Sequence, residues 1–141
     1  MSRCVLATDV VIAALDRADA HHRAAARGLR AMIDDRTALL VSVVNYAETL
    51  VRPAEDENSL RAAVGAIDAL GITLVAPTPA IGRDAAGLRS LGISLADGFA
   101  LATARAHDAS VATFDRRVRR ALKPAGIQQA RVLAFRSRSD S

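Results

Sequence analysis

The sequence has very few aromatic residues: they make up 3% of its 141 residues, and tryptophan is absent. Hydrophobic residues nevertheless make up 51%, so the core must be built from Ala, Val, Leu and Ile. A chain of this length fits one domain and can bury about two-thirds of the surface that its unfolded form exposes. The fold therefore does not depend on a disulfide or a structural metal.

Cysteine and long hydrophobic runs are also scarce. The single cysteine, Cys4, lies in a short apolar run, which excludes an internal disulfide and favours a buried core residue over a nucleophile. No uncharged apolar stretch approaches the roughly 20 residues that a membrane span requires. Because Asp9 and Asp16 interrupt the N-terminal apolar segment, we expect no secretory signal and a cytoplasmic protein.

The positive charge is concentrated at one end of the chain. The net charge is +4, yet the segment from Arg116 onward has eight basic residues and one acid, whereas residues 1–115 have eleven basic residues and fourteen acids. A basic end suits a phosphate backbone, because binding releases counterions. A solvated charged surface is an equally good interpretation of this pattern.

Short apolar runs alternate with amphipathic stretches, which predicts an α/β fold. We expect a central parallel sheet of four to five strands, flanked by helices on both faces, at residues 3–8, 39–43, 72–75, 110–112 and 132–135. The predicted helices cover residues 10–15, 18–34, 44–51, 59–70, 79–91, 95–107 and 116–122, with Asn58 or Ser59 capping the fourth and Ser94 the sixth. Residues 1–135 are predicted to form one domain, followed by a flexible basic tail at 136–141.

Four acidic residues fall at or near the ends of these elements. Asp9 follows the first strand, Asp115 follows the fourth, Glu48 lies in the helix after the second strand, and Asp97 lies in the first turn of its helix. Parallel α/β sheets bind ligands at the carboxyl ends of their strands, where the strand order reverses. Carboxylates in apolar surroundings are costly unless they bind a cation. Mg²⁺ suits such hard oxygen ligands and activates water for phosphodiester hydrolysis.

Each acid also has an ordinary structural interpretation. Asp9 and Asp115 fit helix N-caps, Glu48 fits an exposed helix position, and Asp97 fits the positive end of a helix dipole. Capping and metal binding are compatible at Asp115.

Three residues near Asp115 are candidates for supporting roles. Thr113 is either an ordinary strand residue or a hydroxyl that orients water at a metal. Arg116 and Arg117 either bind a phosphate group, which an arginine matches with two parallel hydrogen bonds, or are exposed helix residues.

Four segments, in this order, resemble the PIN-domain family and, within it, the VapC toxins of bacterial toxin–antitoxin pairs: residues 5–12, 42–48, 95–104 and 112–117. The resemblance covers about residues 5–122. It implies an endoribonuclease toxin that uses Mg²⁺ or Mn²⁺, with Asp9, Glu48, Asp97 and Asp115 as its catalytic metal ligands. It also implies a single-stranded or loop RNA substrate, a 5′-phosphate product, a homodimer and a VapB-like antitoxin.

The sequence departs from the family at one position. The family commonly has Ser, Thr or Asn directly after the first aspartate, and this chain has Val10. If the first strand continues through Thr8, that side chain points to the opposite face from Asp9 and cannot replace the missing hydroxyl.

Other functions are less consistent with the residues present. A phosphatase that uses a covalent aspartate requires an acid where this chain has Val11, and a phosphoacceptor domain requires a lysine near the late strands, where only Lys123 is available. The three histidines lack the spacing of a zinc site. The alternative that remains open is a non-catalytic RNA- or protein-binding module with the same fold.

Overall fold

A computed structural model of the chain describes residues 2–130. Their sheet is parallel and consists of β1 (Arg3–Leu6), β2 (Ala38–Ser42), β3 (Thr73–Val75) and β4 (Ser110–Ala112), in the spatial order β3-β2-β1-β4. The predicted α/β fold is confirmed. The proposed fifth strand at 132–135 and the tail at 136–141 lie outside the described residues. A parallel bridge between Val111 and Gln129 does extend the pairing beyond β4.

Seven α-helices connect or follow these strands within residues 2–130. They are α1 (Thr8–Leu15), α2 (His22–Asp34), α3 (Val43–Leu50), α4 (Glu57–Ala69), α5 (Pro79–Leu88), α6 (Leu95–His107) and α7 (Arg116–Leu122). Short 3₁₀ turns at Pro53–Glu55 and Arg89–Leu91 follow α3 and α5. The predicted caps of α6 and α7 are confirmed: Ser94 accepts the amide of Asp97, and Asp115 accepts the amides of Arg117 and Val118.

The predicted start of the first helix was two residues late. The amides of Val10 and Val11 both donate to the carbonyl of Ala7, so the chain turns into α1 immediately after β1. Thr8 therefore lies in the first helical turn rather than on a strand. The strand-alternation argument for its direction does not apply.

Two other helix starts also differ from the prediction. α2 begins at His22 instead of residue 18, because the carboxylates of Asp16 and Asp19 accept backbone amides and hold the preceding residues in turns. α4 is capped by Asp56, whose carboxylate accepts both the amide and the hydroxyl of Ser59. An aspartate caps at least as well as Asn or Ser.

Aliphatic side chains fill both sides of the sheet, as the composition indicated. Alternation along β1 sends Val5 to one face, where it packs with buried residues of α5, α6 and α7. Cys4 and Leu6 point to the other face, where they pack with residues of α1, α2 and α4 and with the partly buried Tyr46 of α3. Burial raises the pKa of the Cys4 thiol to about 11, so this cysteine is a core residue.

The order of the strands determines where a site can form. The chain runs from β1 to β2 and β3 on one side, then returns to place β4 on the other side of β1. The carboxyl ends of β1 and β4 therefore form the point where the strand order reverses. No helix within residues 2–130 combines the length and apolarity required to cross a membrane.

Candidate active site

Asp9 is held by the loop that follows β4. Its Oδ1 accepts the hydroxyl of Thr113 at 3.0 Å, and its Oδ2 accepts the backbone amide of Phe114 at 2.7 Å. Thr113 is fully buried, and its hydroxyl also accepts the amide of Asp115 at 3.0 Å. One hydroxyl thus connects two of the predicted site acids.

The pKa of Asp9 reflects both burial and its acidic neighbours. Burial raises this pKa above its usual range, and the hydrogen bonds from Phe114 and Thr113 partly offset the rise. The negative charges of Asp115 and Asp97 raise it further. Asp9 is therefore close to two other carboxylates.

Asp97 shows the same pattern from the other side of the site. It lies in the first turn of α6, where its amide donates to the hydroxyl of Ser94 at 3.1 Å. Burial raises its pKa most, the side chain of Ser94 lowers it, and the charges of Asp115 and Glu48 raise it.

Glu48 extends toward α1 from α3. Its Oε1 accepts the hydroxyl of Thr8 at 2.6 Å. Asn45, one turn earlier on α3, donates through Nδ2 to Thr8 Oγ1 at 3.1 Å and to the carbonyl of Ala96 at 3.0 Å. This arrangement connects the starts of α1 and α6 to the helix that carries Glu48.

Sequence reasoning missed both Asn45 and the contact of Thr8. Asn45 is fully buried, and its Oδ1 has no hydrogen-bond partner within residues 2–130. A usable signal was present, since positions i and i+3 share a helix face and Asn45 precedes Glu48 by three residues. This spacing places Asn45 on the same face of α3 as Glu48.

Asp115 and the arginines after it form the exposed rim of the site. Asp115 is exposed and caps α7 through Oδ1, at 2.8 Å from the amide of Arg117 and 3.3 Å from that of Val118. The side chains of Arg116 and Arg117 are exposed at the start of α7. Arg119 contacts the site loop directly, since its Nε donates to the carbonyl of Thr113 at 3.4 Å.

The four predicted acids thus share one edge of the sheet, and they influence one another electrostatically. Among residues 2–130, however, no three Asp, Glu, His or Cys side chains are arranged as a ready-made ligand set for a metal ion. Carboxylates that lie close together repel one another, and a bound cation would offset this repulsion. All four are hard oxygen donors, and this chemistry fits Mg²⁺ or Mn²⁺.

A large groove of 860 Å³ lies beside the acids rather than over them. It runs between α1, α3 and α4, and its lining is mostly apolar, with Ile12, Leu15 and Val51 among the residues. Of the four acids, Glu48 alone borders it.

Comparison with known proteins gives a consistent result. A model of the PIN domain family matches residues 4–123. No curated protein sequence matches the chain significantly. Three solved structures illustrate the similarity of fold, which at these levels of identity is all that they establish.

The VapBC2 structure from Rickettsia felis, bound to a DNA fragment from its promoter, has a TM-score of 0.71 and 16% identity, covering 90% of this chain and 97% of that chain. VapC20 from Mycobacterium tuberculosis, described as a toxin that cleaves the sarcin–ricin loop, has a TM-score of 0.68 and 17% identity, covering 88% and 95%. A toxin–antitoxin complex from Klebsiella pneumoniae has a TM-score of 0.62 and 20% identity, covering 79% and 86%.

Proposed function

Because the chain belongs to the PIN domain family and has the fold of the VapC toxins, we propose that it is a metal-dependent endoribonuclease toxin. In this proposal Asp9, Glu48, Asp97 and Asp115 hold Mg²⁺ or Mn²⁺ and form the catalytic site. The observation that carries the proposal is the electrostatic coupling of these acids at the carboxyl ends of β1 and β4. Such an anionic cluster, in which the pKa values of Asp9 and Asp97 are raised, is typical of functional sites.

The protein's own residues prepare this site in two ways. Thr113 and the amide of Phe114 fix both oxygens of Asp9, so this carboxylate loses little freedom when it binds an ion. Thr8 does the same for one oxygen of Glu48. A divalent ion would supply Lewis-acid activation of the phosphodiester and of the attacking water.

The arginines of α7 are suited to bind the phosphate groups of the RNA backbone. Arg116 and Arg117 lie directly after Asp115 with exposed side chains, and a guanidinium group binds a phosphate through two parallel hydrogen bonds. The basic residues Arg131, Arg136 and Arg138 lie outside the described residues. We assign Arg116 and Arg117 to substrate binding.

A cleavage assay with the purified protein tests the catalytic proposal. We expect Mg²⁺ or Mn²⁺ to support cleavage of single-stranded or loop RNA, EDTA to abolish it, and Asp9→Asn to lose it. Asp68→Asn provides a matched control, since Asp68 is an exposed acid on α4. Equal cleavage by the wild type and Asp9→Asn would overturn the mechanism. RNA binding without any cleavage would favour the non-catalytic module instead.

We also propose a VapB-like antitoxin as the partner and a homodimer as the assembly. The groove beside Glu48 is large and mostly apolar, which suits the apolar face of an amphipathic helix. The exposed Leu74 and Leu95 offer apolar surface for a dimer. Light scattering tests the dimer, and a monomer at working concentrations would exclude it.

The groove can be tested separately from the site. Ala62 is exposed on α4 and lines the groove, whereas Ala69 is exposed on the same helix and does not line it. We expect Ala62→Arg to lose co-purification with the co-expressed antitoxin while it retains RNA cleavage. Ala69→Arg should retain both. Unchanged antitoxin binding by Ala62→Arg would exclude this groove.

A further inference from the structure

Two rings stack beside the acidic site. The centroids of His21 and Phe114 are 4.3 Å apart, and the ring planes differ by 9°. Phe114 lies between Thr113 and Asp115, and its amide is the donor to Asp9 Oδ2. Phe114 thus stacks on His21 through its ring and holds Asp9 through its backbone amide.

The backbone that carries the histidine ring is also fixed. The backbone amide of His21 donates to Asp19 Oδ1 at 2.8 Å, and Nδ1 of the ring lies 3.9 Å from the same oxygen. The next residue, His22, contacts the carbonyl of Ala13 through Nδ1 at 2.8 Å and so ties this loop to α1. The backbone at His21 is thus fixed, and the stack on Phe114 positions its ring, before any ligand binds.

One face of the His21 ring remains available. Phe114 covers the other face, while 49% of the His21 side chain stays exposed. A flat, oriented and half-exposed ring next to a phosphodiester site has the properties of a base-stacking platform.

The segments that carry the two rings have more positive than negative charges. Within four residues of the rings along the chain lie two aspartates, Asp19 and Asp115, and four exposed arginines: Arg17, Arg23, Arg116 and Arg117. This excess of positive charge favours a polyanion.

We propose that a nucleobase of the RNA stacks on the outer face of His21, with Phe114 supporting the ring from behind. The base belongs to a nucleotide near the phosphodiester that the acids cleave. This inference rests on the proposed function, because it assigns a subsite within it. Stacking tolerates every base, so the subsite holds the strand in position instead of reading its sequence.

The competing explanation is that the stack only docks the loop between α1 and α2. In that case the ring would matter for folding and not for the base. Removing the base from the RNA separates the two explanations, because it leaves the protein unchanged.

The test measures the affinity of a short single-stranded RNA, with Ca²⁺ in place of Mg²⁺ to prevent cleavage. The RNA is compared with versions that lack the base at one position in turn. We expect one position near the cleavage site at which loss of the base weakens binding by about fivefold or more, the lower end of what base–aromatic stacking contributes. His21→Ala should weaken binding of the intact RNA by a similar factor and show no further loss with the abasic RNA.

Two variants control this comparison. His21→Phe keeps a stacking ring and should keep the sensitivity to the missing base. His107→Ala removes a histidine about 15 Å along α6 from Asp97 and should bind as the wild type does. Thermal unfolding of each variant shows whether the fold is retained.

Each outcome bears on a different claim. If the wild type cleaves RNA in Mg²⁺ but no abasic position matters, the stacking subsite is excluded and the nuclease stands. If base sensitivity that His21→Ala removes is present without cleavage in Mg²⁺ or Mn²⁺, the catalytic proposal fails, and stacking of a base on His21 stands as RNA binding alone. If His21→Ala weakens binding of the antitoxin but not of RNA, the ring belongs to the protein interface, and our inference is wrong.

Discussion

Thr8 donates a hydrogen bond of 2.6 Å to Oε1 of Glu48, although the two residues are 40 positions apart in the chain. Asn45 supports this contact from behind through its bond to the same hydroxyl. This chain has Val10 where the family commonly has a hydroxyl or amide side chain. Thr8 thus supplies a hydroxyl beside the site, at the position before Asp9 instead of the position after it.

Removing that hydroxyl should weaken the site without removing a ligand. We expect Thr8→Val to lower metal affinity or cleavage by about 10- to 100-fold, the usual effect of losing a partner of a metal-binding side chain. Thr8→Ser keeps the hydroxyl and should restore most of the activity. Mg²⁺ titrations of the cleavage rate give both values. Identical titrations for Thr8→Val and the wild type would show that the contact has no role.

The raised pKa values of Asp9 and Asp97 predict how pH affects stability. A carboxyl whose pKa is higher in the folded state binds its proton more tightly there than in the unfolded state. Its negative charge therefore lowers the free energy of unfolding at neutral pH. This destabilisation disappears as the pH falls below the folded pKa. Asp97→Asn, without metal, should therefore raise the Tm relative to the wild type at pH 7. The gain should shrink at acidic pH. Thermal unfolding at several pH values measures it, and a gain that is independent of pH would contradict the assignment.

A divalent ion should stabilise the folded protein if the four acids bind it. Ligand at 100 times its Kd adds about 2.7 kcal/mol to the free energy of unfolding, provided that the unfolded chain does not bind it. We expect Mg²⁺ or Mn²⁺ to raise the Tm of the wild type and to leave the Tm of Asp9→Asn nearly unchanged. Asp68→Asn serves again as the control and should respond like the wild type. A Tm that Mg²⁺ and Mn²⁺ do not shift in the wild type would argue against the metal site.

The glycine after Asp97 permits α6 to approach α5 closely. A Cβ at Gly98 would lie 2.8 Å from the carbonyl oxygen of Ala85, which is backbone and cannot move aside. Gly98→Ala should therefore destabilise the protein by about 1–3 kcal/mol. Urea unfolding measures this change.

The matched control is Gly87→Ala, at an exposed position of α5 where an added Cβ meets nothing within 4 Å. Alanine at such a site stabilises a helix by roughly 0.5–1 kcal/mol. If both substitutions change the free energy of unfolding in the same direction, the close-approach argument fails.

Local patterns predicted most of the helices and strands. Short apolar runs between amphipathic stretches predicted four strands to within two residues at each end. Ser94 and Asp115 were identified as the caps of α6 and α7. The errors lie at helix starts, where a backbone amide has several acceptors within reach. At α4, Asp56 was the acceptor instead of Asn58 or Ser59, and at α1 the carbonyl of Ala7 began the helix before Asp9.

The amino-acid sequence alone was sufficient to predict the fold class, the aliphatic core and the PIN-domain resemblance, because each follows from local periodicity and short motifs. Only the tertiary structure decided that Thr8 meets both Glu48 and Asn45, that Thr113 joins Asp9 to the amide of Asp115, and that His21 stacks on Phe114. Apart from the local bond between Thr113 and Asp115, these contacts join residues 37 to 104 positions apart. Their geometry depends on how parallel strands and their helices pack, and no local pattern encodes that packing.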